Sequence, residues 1–175
     1  MIVFIPIRTG KLPLPVVLDA IEVQTVPCRW ELCETEPDPI NRRIGEFRGR
    51  EEIIKRCRYL PDEFVATLDS DSVLTGPNAI AEVMPMFADP ALGYVALRRG
   101  GWGLHNPHLT LACAVFRTGV MAGIKTPIPL KGTCCCCECF TKETERQGYK
   151  AVYSGDVKLV RNLSHVELNT LQKEQ

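Results

Sequence analysis

One short stretch, residues 64–74, constrains the fold of this chain more than any other. Its first five residues are mostly apolar and partly β-branched, and they run directly into Asp69-Ser70-Asp71. The run is short and bounded by turn residues, a pattern typical of a buried strand. Burying two carboxylates without compensation costs on the order of several kcal/mol, because each charge loses its water. We therefore predict that the strand ends at Leu68 and that the carboxylates emerge at its carboxyl end, the edge where open α/β sheets bind ligands.

The spacing of Asp69 and Asp71 favours a divalent-metal site. Carboxylates two residues apart on an extended chain point the same way and repel each other. Mn²⁺ or Mg²⁺ would relieve that repulsion, and both ions prefer oxygen ligands and keep positions open for phosphate oxygens. The functional hypothesis is an Asp-x-Asp site for a nucleotide diphosphate. The alternative is a solvated junction between strand and turn, because Asp and Ser are ordinary turn residues.

Composition narrows the class of protein. The chain has 175 residues, of which 45% are hydrophobic and 24% charged, enough for one globular domain with a sizeable core. Lys plus Arg and Asp plus Glu both number 21, so no basic signature points to nucleic acid. No apolar run is long enough for a membrane span, and the opening residues resemble a strand more than a signal peptide. We expect a cytoplasmic protein.

Strand and helix patterns alternate through the first half, which predicts right-handed crossovers and a mostly parallel sheet. The second half is less regular and favours a mixed sheet. One domain is expected over 1–166, followed by a polar tail over 167–175 that frays. Predicted strands cover 2–7, 28–33, 64–68, 92–97, 109–116, 150–153 and 158–160. Predicted helices cover 16–24, 40–59 (one helix or two, divided at Gly49), 77–87, 117–123 and a segment from the cysteine cluster to 147.

The charged helical stretch 40–59 carries seven basic residues. We interpret most of them as a solvated helix face paired with neighbouring glutamates. The alternative is that one or two of the arginines reach a pyrophosphate. The seven are Arg42, Arg43, Arg48, Arg50, Lys55, Arg56 and Arg58.

Several short motifs follow one another in a distinctive order. They are Gln24-Thr25-Val26-Pro27, Asn41-Arg42, Leu68-Asp69-Ser70-Asp71, Ala114-Val115-Phe116-Arg117, Glu138 with Gly148-Tyr149-Lys150, and Ser164-His165. In this order they resemble the GT-A fold glycosyltransferases, above all the large inverting family 2 that includes cellulose and hyaluronan synthases. The resemblance covers residues 2–166. It implies a single-domain, Rossmann-like α/β fold, a three-layer α/β/α sandwich with a mixed, mostly parallel sheet.

The resemblance also implies an activity and a set of roles. The chain would move a sugar from a nucleotide-diphosphate sugar, such as a UDP- or GDP-sugar, to an acceptor that the sequence does not identify. Asp69 and Asp71 would hold Mn²⁺ or Mg²⁺, with His165 as a third ligand. Glu138 would be the general base for an acceptor hydroxyl. The nucleotide would lie against Pro6, Arg8, Glu34, Asn41, Arg42 and Asp69.

Two departures from the family support a second hypothesis, a non-catalytic GT-A-like domain that binds a nucleotide or a partner. The family's Glu-Asp pair is replaced by Cys137-Glu138. The chain is also short for this fold, so the acceptor surface would come from a partner or from the loop over 100–108. A homo-oligomer is a separate expectation. A third hypothesis is a phosphatase of the haloacid-dehalogenase type, although that family places its Asp-x-Asp on the first strand.

Five of the nine cysteines fall between Cys134 and Cys139. One interpretation is that these are small buried hydrophobes at the start of a helix. A second is disulfide bonding with Cys113 or another cysteine. A third is metal or redox chemistry, since Cys-x-x-Cys spacing occurs twice in the cluster.

Overall fold

The computed structural model describes residues 1–36, 42–98, 109, 111–128, 136–155 and 158–173. Within these ranges, residues 42–46, 165, 169 and 172–173 are described by their backbone alone.

Strands and helices alternate from β1 to β3, as the sequence predicts for the first half of the chain, and the order is less regular after that. The strands are β1 (Ile2–Arg8), β2 (Arg29–Thr35), β3 (Phe64–Leu68), β4 (Ser72–Leu74), β5 (Leu92–Ala96), β6 (Cys113–Arg117), β7 (Lys150–Tyr153) and β8 (Val160–Asn162). The helices are α1 (Pro15–Glu22), α2 (Arg42–Cys57), α3 (Thr118–Ala122), α4 (Cys136–Arg146) and α5 (His165–Lys173), with a short 3₁₀ helix at Met84–Ala88.

Six strands form one sheet in the order β2-β1-β3-β6-β5-β7. Within it β6 runs antiparallel to β3 and β5, and the other pairs are parallel. The sheet is therefore mixed and mostly parallel, as predicted. A second, two-stranded sheet joins β4 to β8.

Alternation along β1 separates two apolar layers, because successive side chains of a strand point to opposite faces. Val3 and Ile5 pack in one cluster that includes Val17 of α1. Ile2 and Phe4 pack in the other, and its helical contributions come from α2, α3 and α4, including Phe47, Ile53, Ile54, Met121 and Phe140. Helices on both faces make the predicted three-layer sandwich.

The predicted helix over 77–87 is wrong. The chain makes turns from residue 77 and a 3₁₀ helix only at Met84–Ala88. Pro85 explains the difference, since proline lacks an amide donor and disfavours the interior of an α-helix. Gln24 holds the turns in place: its side-chain amide donates to Gly76 O at 2.7 Å, and its oxygen accepts from Ile80 N at 3.1 Å.

The described part of the charged stretch is one continuous helix, α2, that runs through Gly49, so the alternative of one helix is the correct one. Another segment differs from prediction. The segment predicted as a fraying polar tail is helical to Lys173. Leu168 and Leu171 of that helix pack against the core, and this apolar contact was overlooked in a sequence rich in polar residues.

Arg117, at the end of β6, ties the loop after the 3₁₀ helix to the sheet. Its Nε donates to Leu92 O at 2.9 Å, and its Nη2 donates to Phe87 O at 2.6 Å. The guanidinium carbon also lies 5.6 Å from the ring centre of Phe64 and 5.5 Å from that of Phe87. The planar cation thus satisfies backbone carbonyls and stacks on two rings at once.

We expect Arg117→Lys to destabilise the fold by about 2 kcal/mol, because an ammonium cannot reproduce the fork of donors and leaves carbonyls without partners. Urea unfolding measures the change. Arg29→Lys is the matched control: its side chain is 60% exposed and pairs only at the surface with Asp62, so a change below about 0.5 kcal/mol is expected. Equal stability of the two variants would contradict the structural role of Arg117.

Candidate functional site

The carboxyl ends of β1, β2 and β3 lie at one edge of the sheet, since the three strands are parallel neighbours. Asp69, Ser70 and Asp71 follow β3 directly, and all three are half-buried. The amide of Asp69 donates to Ala112 O at 2.7 Å, where β6 is about to begin. The predicted Asp-x-Asp therefore sits at the edge where parallel sheets bind ligands.

A buried arginine holds the first carboxylate. Arg50 of α2 donates through Nη2 to Asp69 Oδ1 and, at 3.2 Å, to Leu111 O. The Arg50 side chain is only 6% exposed and that of Asp69 is 38% exposed. Burial lowers the pKa of Arg50, but the charge and hydrogen bond of Asp69, together with smaller contributions from Cys136 and Cys137, outweigh that effect and raise the pKa. Arg50 therefore stays charged and fixes Asp69 at the edge.

The importance of Arg50 was missed in the sequence, where most basic residues of α2 were interpreted as solvated. A signal was available, because Phe47, Arg50, Ile54 and Cys57 recur at helical spacing and so share one face. The three apolar members of this set are buried. A cation among them needs a buried anionic partner, and Asp69 is that partner.

Asp71 occupies a different environment. A turn joins Asp69 to β4, closed by the amide of Ser72 donating to Asp69 O at 2.9 Å. The described residues include no ion-pair partner for Asp71; its carboxylate accepts a long hydrogen bond of 3.4 Å from the Ser72 hydroxyl. Of the two carboxylates, Asp71 is thus the one with its charge left for a cation.

The backbone brings predicted ligand His165 towards Asp71. Ser72 pairs with Asn162 in the small sheet, and the amide of Leu163 donates to Asp71 O at 2.8 Å. His165 begins α5 two residues later. Its side chain is outside the described residues, so its role as a metal ligand stays a prediction.

A capping box sets the start of α5. Ser164 N donates to Glu167 Oε2 at 2.8 Å, and Glu167 N donates to Ser164 Oγ at 3.2 Å. Arg161 adds an ion pair to Glu167 at 2.8 Å. Hydrogen bonds that the Ser164 amide and the Ser164 side chain make to the Glu167 carboxylate, followed by the interactions with Arg161, lower the pKa of Glu167 from 4.5 to about 2. These contacts hold the helix start, and with it the His165 backbone, in place.

We expect Glu167→Gln to lower the melting temperature at pH 7. The folded pKa of Glu167 lies below its unfolded value, so its contribution is complete above about pH 4.5 and is lost as the pH falls towards 2. The gap between variant and wild type should therefore close over that interval in thermal melts. Glu145→Gln, which changes an exposed glutamate of α4, is the control. A gap that does not change with pH would contradict this account.

Pro6, Arg8 and Glu34 are brought together at the ends of β1 and β2. The register pairs Ile7 with Glu34, and Arg8 and Glu34 are exposed. Helix α2 crosses close above them at Gly49, where an added Cβ would lie 3.2 Å from Pro6 Cβ. This close approach explains the glycine within a long helix.

A cavity of about 640 Å³ opens between β2 and α2, and predicted nucleotide contact Glu34 is on its wall. Predicted contact Asn41 lies outside the described residues, and Arg42 is described by its backbone alone. The cavity carries both signs of charge; its lining is Leu32, Glu34, Thr35, Glu36, Arg48, Glu51, Glu52, Lys55 and Arg56.

Glu138, the predicted base, lies in the first turn of α4 and is half-buried. It pairs with Lys142 one turn later at 2.5 Å. Helix α4 is held to the sheet by buried Phe140 and by a 2.6 Å hydrogen bond between the hydroxyls of Tyr94 and Thr141. Cys136 and Cys137, in the same first turn, lie near enough to Arg50 that negative charge on them raises its pKa. The start of α4 is therefore close to the Arg50 guanidinium.

None of the seven described cysteines forms a disulfide, which contradicts disulfide bonding by Cys113. Cys139 is buried among apolar side chains, in line with the first interpretation of the cluster, whereas Cys136 and Cys137 are half-buried. The described residues contain no group of three or more His, Cys, Asp or Glu side chains arranged for a metal ion. Cys134 and Cys135 lie outside the described residues.

No protein-family model matches this sequence, and no curated protein matches it. Among the described residues, no helix combines the length and the apolar character that crossing a bilayer requires.

Solved structures do match. The mannosyltransferase PcManGT from Pyrobaculum calidifontis, in complex with GDP-Man and Mn²⁺, has a TM-score of 0.67 and 15% identity over 94% of this chain and 56% of that one. S. aureus TarS 1-349 in complex with UDP-GlcNAc has a TM-score of 0.63 and 12% identity, over 94% of this chain and 58% of that one. A glycosyltransferase involved in glycosylation of the major capsid of PBCV-1 has a TM-score of 0.59 and 13% identity over 98% of both chains.

These likenesses show the fold. The chain has the GT-A-like fold of nucleotide-sugar glycosyltransferases, which confirms the predicted fold class. It spans little more than half the length of the first two proteins, 56% and 58%.

Proposed function

We propose that this chain binds a nucleotide-diphosphate sugar with a divalent metal ion and transfers the sugar to an acceptor. The observation that carries the proposal is the pair of carboxylates at the carboxyl edge of the parallel strands, with Asp69 held by buried Arg50 and Asp71 half-buried in the turn beside it. A sheet edge with fixed acidic oxygens suits a cation and its phosphate ligands.

The side chains at this edge fit a hard divalent cation. Asp71 offers carboxylate oxygens, and the carboxylate of Asp69, which Arg50 holds through Oδ1, lies two residues before it. We assign Asp71 as the principal ligand, Asp69 as its neighbour and His165 as a third ligand. When bound there, Mn²⁺ or Mg²⁺ would supply positive charge to the leaving nucleoside diphosphate. The complex of PcManGT with GDP-Man and Mn²⁺ supports this choice of ligand class.

The remaining roles follow from position. Pro6, Arg8 and Glu34 would border the nucleoside at the ends of β1 and β2, together with Asn41 and Arg42 of the next segment. Glu138 would accept the proton of an acceptor hydroxyl at a carboxylate oxygen. Its pairing with Lys142, which is 67% exposed, does not prevent this, because an ion pair at the surface is worth only about 0.2–1 kcal/mol.

The length of the chain is compatible with transfer. The PBCV-1 neighbour is described as a glycosyltransferase, and the match covers 98% of both chains. The phosphatase hypothesis, by contrast, has no support in this fold, because the Asp-x-Asp follows β3 and that family needs it after the first strand. The second candidate is a domain that binds the nucleotide without catalysis, and the Cys137-Glu138 sequence favours it.

Thermal stability in the presence of UDP, GDP, CDP or dTDP, each with Mn²⁺, Mg²⁺ or a chelator, tests the proposal. A nucleotide at about 100 times its dissociation constant adds about 2.7 kcal/mol to the unfolding free energy. We expect one nucleotide to stabilise the protein only with metal. The absence of a shift with all four would contradict the site. Release of nucleoside diphosphate from the matching sugar nucleotide then separates the enzyme from the binding domain.

A further inference from the structure

The described thiols fall into two groups. Burial raises the pKa of Cys33 and of Cys57 to about 12, and it also raises the pKa values of Cys28 and Cys113. Because the thiolate is the reactive form, these four side chains are poor nucleophiles at neutral pH. They are also distributed over β2, the end of α2 and the start of β6, with Cys28 just before β2.

Cys136 and Cys137 differ in position and surroundings. They form the first two residues of α4, where the helix dipole favours negative charge, and they are half-buried. The thiols are therefore partly accessible, and the helix end stabilises their ionised form.

Arg50 has a hydrogen-bond donor without a partner among the described residues. Its side chain is buried, and the unpartnered donor is Nη1. Both Cys136 and Cys137 are near enough that negative charge on them acts on the guanidinium. A buried cation with an unused donor close by favours a thiolate or another anion at this position.

We propose that Cys136 and Cys137 form a modification site for small anionic disulfides such as glutathione disulfide. The sulfur of one thiolate attacks one sulfur of the disulfide; that S–S bond breaks, a protein–glutathione S–S bond forms, and the other half leaves as glutathione thiolate, which takes a proton from water. The exchange needs no further oxidant.

Modification of Cys136 or Cys137 would block nucleotide binding at the edge formed by the carboxyl ends of β1, β2 and β3. The guanidinium that attracts the thiolates is the one that holds Asp69, and the bound tripeptide brings carboxylates to the same place. Both its bulk and its charge oppose the binding of a nucleoside diphosphate. This consequence rests on the proposed function, whereas the site of modification does not.

The test is a time course with glutathione disulfide on the full chain, with adducts located by fragment mass spectrometry. We expect the first adduct on Cys136 or Cys137, at least about ten-fold faster than on Cys28, the half-buried thiol whose pKa is raised. Cys136→Ser/Cys137→Ser should lose this fast phase, and Cys28→Ser should keep it. First adducts on any other cysteine, Cys134 and Cys135 included, or no adduct would overturn the proposal.

Arg50→Met tests the electrostatic cause. Its fold is first compared with wild type by thermal melting, and a folded variant should react at least about ten-fold more slowly. An unchanged rate in a folded variant would overturn the role of Arg50; if the variant is unfolded, the serine variants decide.

Nucleotide binding is measured on the modified protein as a separate readout. The metal-dependent thermal shift should disappear on modification and return with dithiothreitol. If the modified protein keeps the full metal-dependent thermal shift, modification does not block nucleotide binding and that part of the proposal is overturned. If the unmodified protein shows no shift with any nucleotide, the proposed function fails while the adduct map still decides the thiol site.

Discussion

Replacing Asp71 by Asn should weaken metal-dependent nucleotide binding by roughly a hundred-fold or more. Even the loss of a residue that only hydrogen-bonds to a metal ligand typically lowers metal affinity about 10–100-fold. Asn keeps the size of the side chain and one oxygen but loses the charge. The described contacts of Asp71 include no ion pair, and its carboxylate accepts only the 3.4 Å hydrogen bond from Ser72, so the fold should remain close to wild type in stability. Calorimetric titration of the nucleoside diphosphate with Mn²⁺ measures the change.

Asp19→Asn provides the matched control, because it makes the same charge change on an exposed position of α1. Binding in this variant should equal that of wild type. Wild-type affinity in Asp71→Asn would show that Asp71 is not the principal ligand and that the metal, if bound, is held elsewhere.

The second large effect is an asymmetry between the partners of the buried ion pair. Asp69→Ala should destabilise the fold by about 3 kcal/mol, because it leaves the Arg50 guanidinium buried without a counter-charge. Arg50→Met should cost clearly less. The Asp69 side chain is 38% exposed and can be hydrated, and methionine suits the apolar face that Arg50 shares with Phe47 and Ile54.

The double variant Arg50→Met/Asp69→Ala completes the cycle. Once the cation is gone, removing Asp69 should cost little, so the double variant should be more stable than Asp69→Ala alone. Denaturant unfolding of the four proteins gives the coupling. Additive losses, or a greater loss in Arg50→Met than in Asp69→Ala, would contradict the pair as described.

Local sequence patterns were sufficient to predict much of the fold. The short apolar runs at 2–7, 64–68 and 92–97 are strands because their residues are buried on both faces of a central sheet. The prediction failed where a local breaker or a tertiary contact decided the outcome. Pro85 prevents an α-helix that the spacing of apolar residues favours, and contacts of Leu168 and Leu171 with the core stabilise a helix in a polar segment.

The candidate site was predictable in part, because a local pattern also shows where a buried strand must end. A strand that runs into two acidic residues must end before them, and the structure places Asp69 and Asp71 at that edge. The partner of Asp69 was not found, because an arginine 19 positions earlier in the chain belongs to another element and only the fold brings it there. The contrast between a paired Asp69 and an Asp71 outside any described ion pair likewise depends on tertiary structure.

Electron paramagnetic resonance of Mn²⁺ tests the central claim most directly, since free and bound ions give different signals. Wild-type protein, Asp71→Asn and a sample without protein are titrated with Mn²⁺ in the presence of the nucleoside diphosphate that gives the thermal shift. We expect wild type to bind one additional Mn²⁺ per chain beyond the sample without protein, and Asp71→Asn to bind none at the same concentrations. Equal Mn²⁺ binding by wild type and Asp71→Asn would contradict a metal site at Asp71.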